Sequence, residues 1–261
     1  MRMFEGQAWF KWEELADKAY TIVEEAEKNN IILRNLGSLA YRIHCNRYGY
    51  IQDNLGRKFS DIDFASYSRF RVDVRKLYAN NGWIEDQYFT RIFGYRRLLY
   101  YYGSDKKIHS DIFFDRLEFN HIIEFEGRLE VDKPTIPLAE LFLEKMQIVM
   151  INEKDVIDTI MLLREHEVGE GDKEQINAPY IAKILAGDWG FWKTVTQNME
   201  KVKNYSINST KLSDEDKKIV LERLEKILRA IDREEKSLSW KLRAKVGEKK
   251  KWYKDVEEVY R

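Results

Sequence analysis

Between residues 11 and 29 apolar positions recur with a helical period: Leu15, Ala19, Ile22, Val23 and Ala26 share one stripe, and polar residues fill the rest. Asn29-Asn30 ends that pattern, and Ile31-Ile32-Leu33-Arg34-Asn35-Leu36 follows as a first strand. Residues 69–81 predict a second helix, closed by Asn80-Asn81-Gly82. The spacing then shortens. Residues 96–101, 108–115 and 121–125 predict strands, with a Gly103-Ser104 turn after the first of them.

Pro134 and Pro137 mark a change of regime. Beyond them almost every segment has helical period: residues 137–150, a helix capped by Asn152, then 178–185, 191–204 and 213–246, with a last piece around Trp252. Gly169-Glu170-Gly171-Asp172 reads as a loop. The order predicts an α+β protein, with a small mixed sheet in residues 1–135 and a helical domain in residues 136–261.

Composition narrows the chemistry. With 45 basic and 45 acidic residues the formal net charge is zero, so no global field draws nucleic acid or membrane, and contact with a polyanion has to be local. The single Cys45 excludes an intramolecular disulfide and fits a reducing compartment. The opening residues lack a signal-peptide apolar core, and no apolar run is long enough to span a bilayer. The expectation is a cytoplasmic protein with no membrane partner. No spacing suits zinc, and neither a Ser-His-Asp nor a Cys-His hydrolase is indicated.

Carboxylates stand out next. In Ser60-Asp61-Ile62-Asp63-Phe64 the two acids lie two residues apart in a β-favouring run, so both leave one face of a strand. Adjacent carboxylates repel unless a cation joins them. Their other reading is a pair on the solvent face of an edge strand, with Ile62 and Phe64 packed inside. Downstream, His109, Asp111 and Asp115 share one face of a later strand. His109 there reads as a structural group, and Asp115 as a partner for Arg116 or Arg128. Gly37-Ser38 closes a strand and opens a helix, so its backbone N–H groups either cradle phosphate oxygens or form an ordinary turn.

A glycine-serine turn, an Asp-x-Asp strand and a later strand with a third Asp, in this order, resemble the polymerase-β-like nucleotidyltransferase superfamily. Arg57-Lys58-Phe59-Ser60-Asp61-Ile62-Asp63 is similar to the Arg-x-x-Ser-x-Asp-x-Asp motif of its abortive-infection (AbiEii-like) branch. Leu141-Phe142-Leu143-Glu144-Lys145 and Glu153-Lys154-Asp155-Val156-Ile157-Asp158 resemble that branch's helical Lys and Lys-Asp-x-x-Asp elements. The resemblance covers roughly residues 30–165.

It implies a nucleotidyltransferase sheet core and a helical domain completing the cleft. It also implies two Mg²⁺ or Mn²⁺ ions held by Asp61, Asp63 and Asp111, with an NTP as co-substrate. Asp111 would double as base for the attacking hydroxyl, and Lys145 would offset phosphate charge. Gly37, Ser38, Arg57, Lys154 and Asp158 would bind the nucleotide. The acceptor would be tRNA or another RNA end, a small molecule or a protein, in a toxin or phage-defence role. The branch also brings an antitoxin into consideration as a partner. The rival reading is a non-catalytic nucleotide-binding or protein-interaction module that retains the fold. One departure is a long gap between Gly37 and Asp61, in which residues 48–56 read as an inserted loop.

Several residues keep two readings. Lys145 sits in the middle of the apolar stripe of Leu138, Leu141, Phe142 and Val149, where it reaches a triphosphate, snorkels or joins a buried ion pair. Asp155 occupies the capping-box position after Asn152, and Lys154 and Asp158 have the spacing of an ion pair on the polar face. Arg91, Arg96 and Arg97 either meet phosphates or an acceptor, or are solvated. From Lys241 to Arg261 there are eight basic and four acidic residues around Trp252 and Tyr253, which touch RNA or form a solvated amphipathic helix.

Overall fold

The structure, a computed structural model, describes residues 9–256. In chain order it begins with α1 (Trp12–Lys28), β1 (Leu33–Leu36), α2 (Gly37–His44), α3 (Tyr50–Asn54) and β2 (Asp63–Ser66). Next come α4 (Arg71–Asn80), β3 (Trp83–Glu85), α5 (Gln87–Phe93), β4 (Arg97–Tyr102) and β5 (Ile108–Phe114). Two short strands, β6 (Arg116–Glu118) and β7 (Ile122–Glu124), form a two-stranded ladder of their own. The rest is α6 (Leu138–Met146), α7 (Glu153–Glu165), β8 (Glu167–Gly169), β9 (Gln175–Asn177), α8 (Ala178–Gly187), α9 (Trp189–Asn208), α10 (Asp214–Arg233) and α11 (Leu238–Val246). The chain is mixed α+β, with a mixed sheet and a helical C-terminal region.

Two compact units are each assembled from separated stretches. The first takes the chain up to residue 44, then 58–117 and 124–137; the second takes 45–57, 118–123 and 138 onward.

In the first unit five strands lie in the order β1-β2-β5-β4-β3, with β2 and β5 parallel and the other pairs antiparallel. Alternation of side chains divides the sheet. Leu33, Phe64, Ile112, Leu98 and Tyr100 join Leu15 and Ile22 of α1 and Val74, Leu77 and Tyr78 of α4 in one buried core. Tyr78 stacks at 4.5 Å on Tyr100, and its hydroxyl lies 3.0 Å from Ser110 Oγ, which gives a buried phenol its polar partner. The residues that alternate with these, Asp63, Asp111 and Arg97 among them, carry the polar chemistry. The outer edge of β1 is closed by Pro134–Ile136: Asn35 N–H donates to Pro134 O at 2.9 Å, and Ile136 N–H to Asn35 O at 3.0 Å.

The second unit is a helical assembly. Capping boxes at Asn152/Asp155 and Ser213/Asp216 start α7 and α10, as the sequence spacing predicts for the first of them. Two helices are shorter than their periodicity suggests. α6 stops at Met146 because the buried Asn198 amide takes the carbonyls of Met146 and Ile148. The pattern read as one helix over 213–246 breaks after Arg233. There Lys236 Nζ bonds the Glu234 carbonyl at 2.7 Å and the Ile231 carbonyl, and Ser237 caps a new helix by accepting from Trp240 N–H.

Among the described residues no helix is long and apolar enough to cross a membrane.

Candidate functional site

Strand register brings the acids of the first unit together. β2 and β5 align Phe64 with Ile112, so Asp63 stands beside Asp111, and an isolated parallel bridge pairs Asp61 with His109. Asp111 N–H donates to Asp63 Oδ1 at 3.2 Å. His109 Nε2 lies 3.6 Å from Asp61 Oδ2. On the other side of β2, Leu36 pairs with Asp63, which carries Gly37 up against the same carboxylate. A Cβ at Gly37 would come 3.2 Å from Asp63 Oδ2, and the residue's φ of +76° lies in the left-handed region. Only glycine makes this turn without strain or crowding. Gly37 and the buried Ser38 are the first two residues of α2.

Arg97, left with two readings by the sequence, turns inward to Asp111. Its Nε donates to Oδ1 at 2.7 Å and its Nη2 lies 2.7 Å from Oδ2, a two-pronged grip on a carboxylate only 2% exposed. A buried charge needs such a partner. The pairing follows from β4–β5 register, which sets Leu99 opposite Asp111 and Arg97 opposite Phe113.

For a divalent cation the donor chemistry of Asp61 and Asp63 is suitable, since ionised carboxylates are acceptor-only oxygen ligands. Both oxygens of Asp111 serve Arg97 in this arrangement. Among the described residues no three His, Cys, Asp or Glu side chains converge closely enough to hold a metal ion.

A second polar centre lies within the second unit. Asp158 is fully buried and accepts from Gln52 Nε2 at 2.8 Å, from Arg57 Nε at 2.9 Å and from Arg57 Nη2 at 3.1 Å. Lys145 Nζ lies 3.3 Å from Asp158 Oδ2 and donates to Asp155 Oδ1 at 2.9 Å. Burial pushes the Asp158 carboxyl up, but Arg57 and then Lys145 outweigh it and hold the pKa below the usual value. Burial likewise pulls the Lys145 ammonium down, and Asp155 and Asp158 reverse this to a net rise.

Of the three readings of Lys145, the buried ion pair is therefore the one seen. Asp158 sits on the buried side of α7 while Lys154 is exposed, so the spacing read as a polar-face ion pair has Asp158 turned inward instead. Residues 48–56 are no simple loop. They contain α3, which packs on α7 and brings Gln52 and then Arg57 to Asp158. Tyr50 of α3 donates to Asp216 at 2.9 Å; burial and that carboxylate push its phenol up to about 12.

Asp115 is also corrected. It lies just past β5 at φ +64° and accepts from Ser68 N–H at 2.8 Å, where Arg116 or Arg128 was the expected partner.

The segment that leads into and through β4, from which Arg97 reaches Asp111, is basic and aromatic. From Gln87 to Gly103 there are three arginines and no acidic residue. Tyr88 and Tyr95 are exposed, and the Arg96 guanidinium lies 4.8 Å from the Tyr95 ring centre.

No family model, curated protein or solved structure matches the chain.

Proposed function

We propose that the chain is a metal-dependent nucleotidyltransferase moving a nucleoside monophosphate from an NTP to an acceptor hydroxyl. The Asp63–Asp111 pairing carries this reading: neighbours across parallel strands, joined at 3.2 Å, with Gly37 against Asp63 and Asp61 on the same side of β2. Asp61 and Asp63 would hold the cation, with Asp111 beside them. A bound Mg²⁺ would neutralise phosphate charge and lower the pKa of the attacking hydroxyl. Asp111 would orient the acceptor proton. Ser38 and the N–H groups opening α2 would hold phosphate oxygens. The Arg97 fork that grips Asp111 matches a phosphate equally well.

Arg57, Lys145 and Asp158 satisfy one another within the second unit, so the reading asks of them chiefly that they hold α3 to α7. Among the three acceptor classes, the surface of Tyr88, Arg91, Tyr95 and Arg96 favours an RNA end, since rings stack on bases and guanidinium groups meet phosphates. The toxin or phage-defence role and the antitoxin partner rest on the resemblance of the Arg57–Asp63 motif.

One observation favours a second reading. With both Asp111 oxygens given to Arg97, the fold would serve as a nucleotide-binding module without transfer.

Pyrophosphate release separates the two. Each of the four NTPs is offered with Mg²⁺ or Mn²⁺, pooled tRNA and a panel of small metabolites, and Asp61→Ala/Asp63→Ala is the control. Acceptor-dependent release that disappears in the control is the expected result. Metal-dependent NTP binding without release, lost in the same variant, would favour the binding module. Absence of any NTP binding would sink both.

A further inference from the structure

Charge in this neutral chain is unevenly spread. From Lys236 to Lys254 there are eight basic residues and one acidic, Glu248. At the centre of this stretch lies α11, which is apolar on two opposite sides. Its inner side packs: Trp240 meets Trp192 at 5.2 Å, the Arg243 guanidinium lies 4.7 Å over Trp189, and Ser237 N–H donates to Ala186 O at 3.0 Å. Its outer side carries Leu238, Leu242 and Val246, four residues apart and hence on one line, exposed by 79%, 63% and 42%. A helix apolar on both sides is ordinarily covered on both.

Lysines flank that line. Lys241 and Lys245 fall beside it. Lys241 reaches only the exposed Glu235, at 3.8 Å, and Lys245 has no ion-pair partner among the described residues.

We infer that the outer side of α11 docks an acidic amphipathic helix of a partner protein. Its apolar residues would cover Leu238, Leu242 and Val246, and its carboxylates would meet Lys241 and Lys245. Charge complementarity selects an anionic partner. The aliphatic line selects one with an apolar face of helical spacing, since Leu and Val offer a nucleic acid neither a hydrogen bond nor a stacking ring. The proposal does not depend on the activity proposed above.

Fluorescence anisotropy on the full chain tests it. One probe is a synthetic peptide about five helical turns long, with leucines on one side and glutamates flanking them. Its isomer, with the same composition but the leucines dispersed, is the second probe, and single-stranded RNA and phosphatidylserine vesicles are the others. The amphipathic peptide should bind at least about tenfold more tightly than its isomer, because only it presents a continuous apolar line. Leu238→Glu/Leu242→Glu and Lys241→Glu/Lys245→Glu should each weaken it by about tenfold or more, the second loss shrinking in high salt.

These side chains are exposed, so both variants should keep the far-UV CD of the parent. Equal binding of the two peptides, or none, would overturn the proposal. So would RNA or vesicles that bind more tightly than the peptide through the same lysines. Self-association of the parent that both variants abolish would overturn it too, by making a second copy the occupant.

Discussion

Arg97 holds Asp111 by both carboxylate oxygens, at 2.7 Å each, across the antiparallel β4–β5 pair. Two charges so placed are worth less together than either costs alone. Desolvation consumes much of the attraction, but removal of one partner strands the other. Arg97→Met should therefore destabilise the protein by about 3 kcal/mol at neutral pH. Adding Asp111→Asn should recover a good part of the loss. Urea unfolding of the two single variants and the double variant measures the coupling. Additive effects would show that the pair is not acting as a unit.

The Lys145–Asp158–Arg57 centre makes a similar prediction with an added pH dependence. Lys145→Met leaves the buried Asp155 and Asp158 short of a cation and should cost about 3–5 kcal/mol. Asp158 has a folded pKa below its ordinary 3.8. Its contribution is therefore complete above the unfolded value and lost as pH falls through the folded one. Acid unfolding should begin below about pH 4, and Asp158→Asn should flatten that limb while lowering stability at neutral pH. An acid limb identical in parent and variant would refute the assignment.

His121 gives a milder acid effect at higher pH. Its ring stacks on Phe191 with centres 4.9 Å apart, and Nε2 lies 2.8 Å from Thr194 Oγ1. Burial lowers its pKa from 6.5 to about 4, with Asp188 opposing weakly. Between those values the unfolded chain takes up a proton that the folded chain refuses. Stability is thus full above the unfolded pKa and falls toward the folded one, by up to roughly 3 kcal/mol. Denaturation curves from pH 7.5 to 4 should show this slope in the parent and a flatter one in His121→Phe.

Gly190, near the start of α9, tests the docking of the C-terminal segment. A Cβ there would collide with the Trp252 carbonyl, which is backbone and cannot rotate aside. Trp252 also donates from Nε1 to Thr194 Oγ1 at 3.1 Å, and Asn120 and Lys254 exchange two hydrogen bonds through Asn120 O and Nδ2. Gly190→Ala should cost about 1–3 kcal/mol and shift tryptophan fluorescence to the red as Trp252 loosens. An unshifted spectrum at unchanged stability would mean the segment relaxes freely.

Much of the molecule was readable from its residues because the signals were local. The α1 stripe, the capping box at Asn152 and the Gly37-Ser38 turn each depend on neighbours within a few positions. Alternation in residues 108–115 placed Asp111 and His109 on one face, and they remain there beside Asp63 and Asp61. Local signals give way where a distant group intervenes. The Asn198 amide shortens α6, Ser68 N–H captures Asp115, and α3 with Arg57 draws Asp158 inward.

By itself the sequence determined the α+β order of elements and which carboxylates share a strand face. Those follow from backbone periods of 3.6 and 2.0 and from caps within one turn. Tertiary structure decided who meets whom: Asp111 with Arg97, Lys145 with Asp158, and the outer side of α11 with solvent. Strand register and helix packing set these pairings. They minimise the cost of burying charge over the whole chain at once, and no window of neighbouring residues contains that sum.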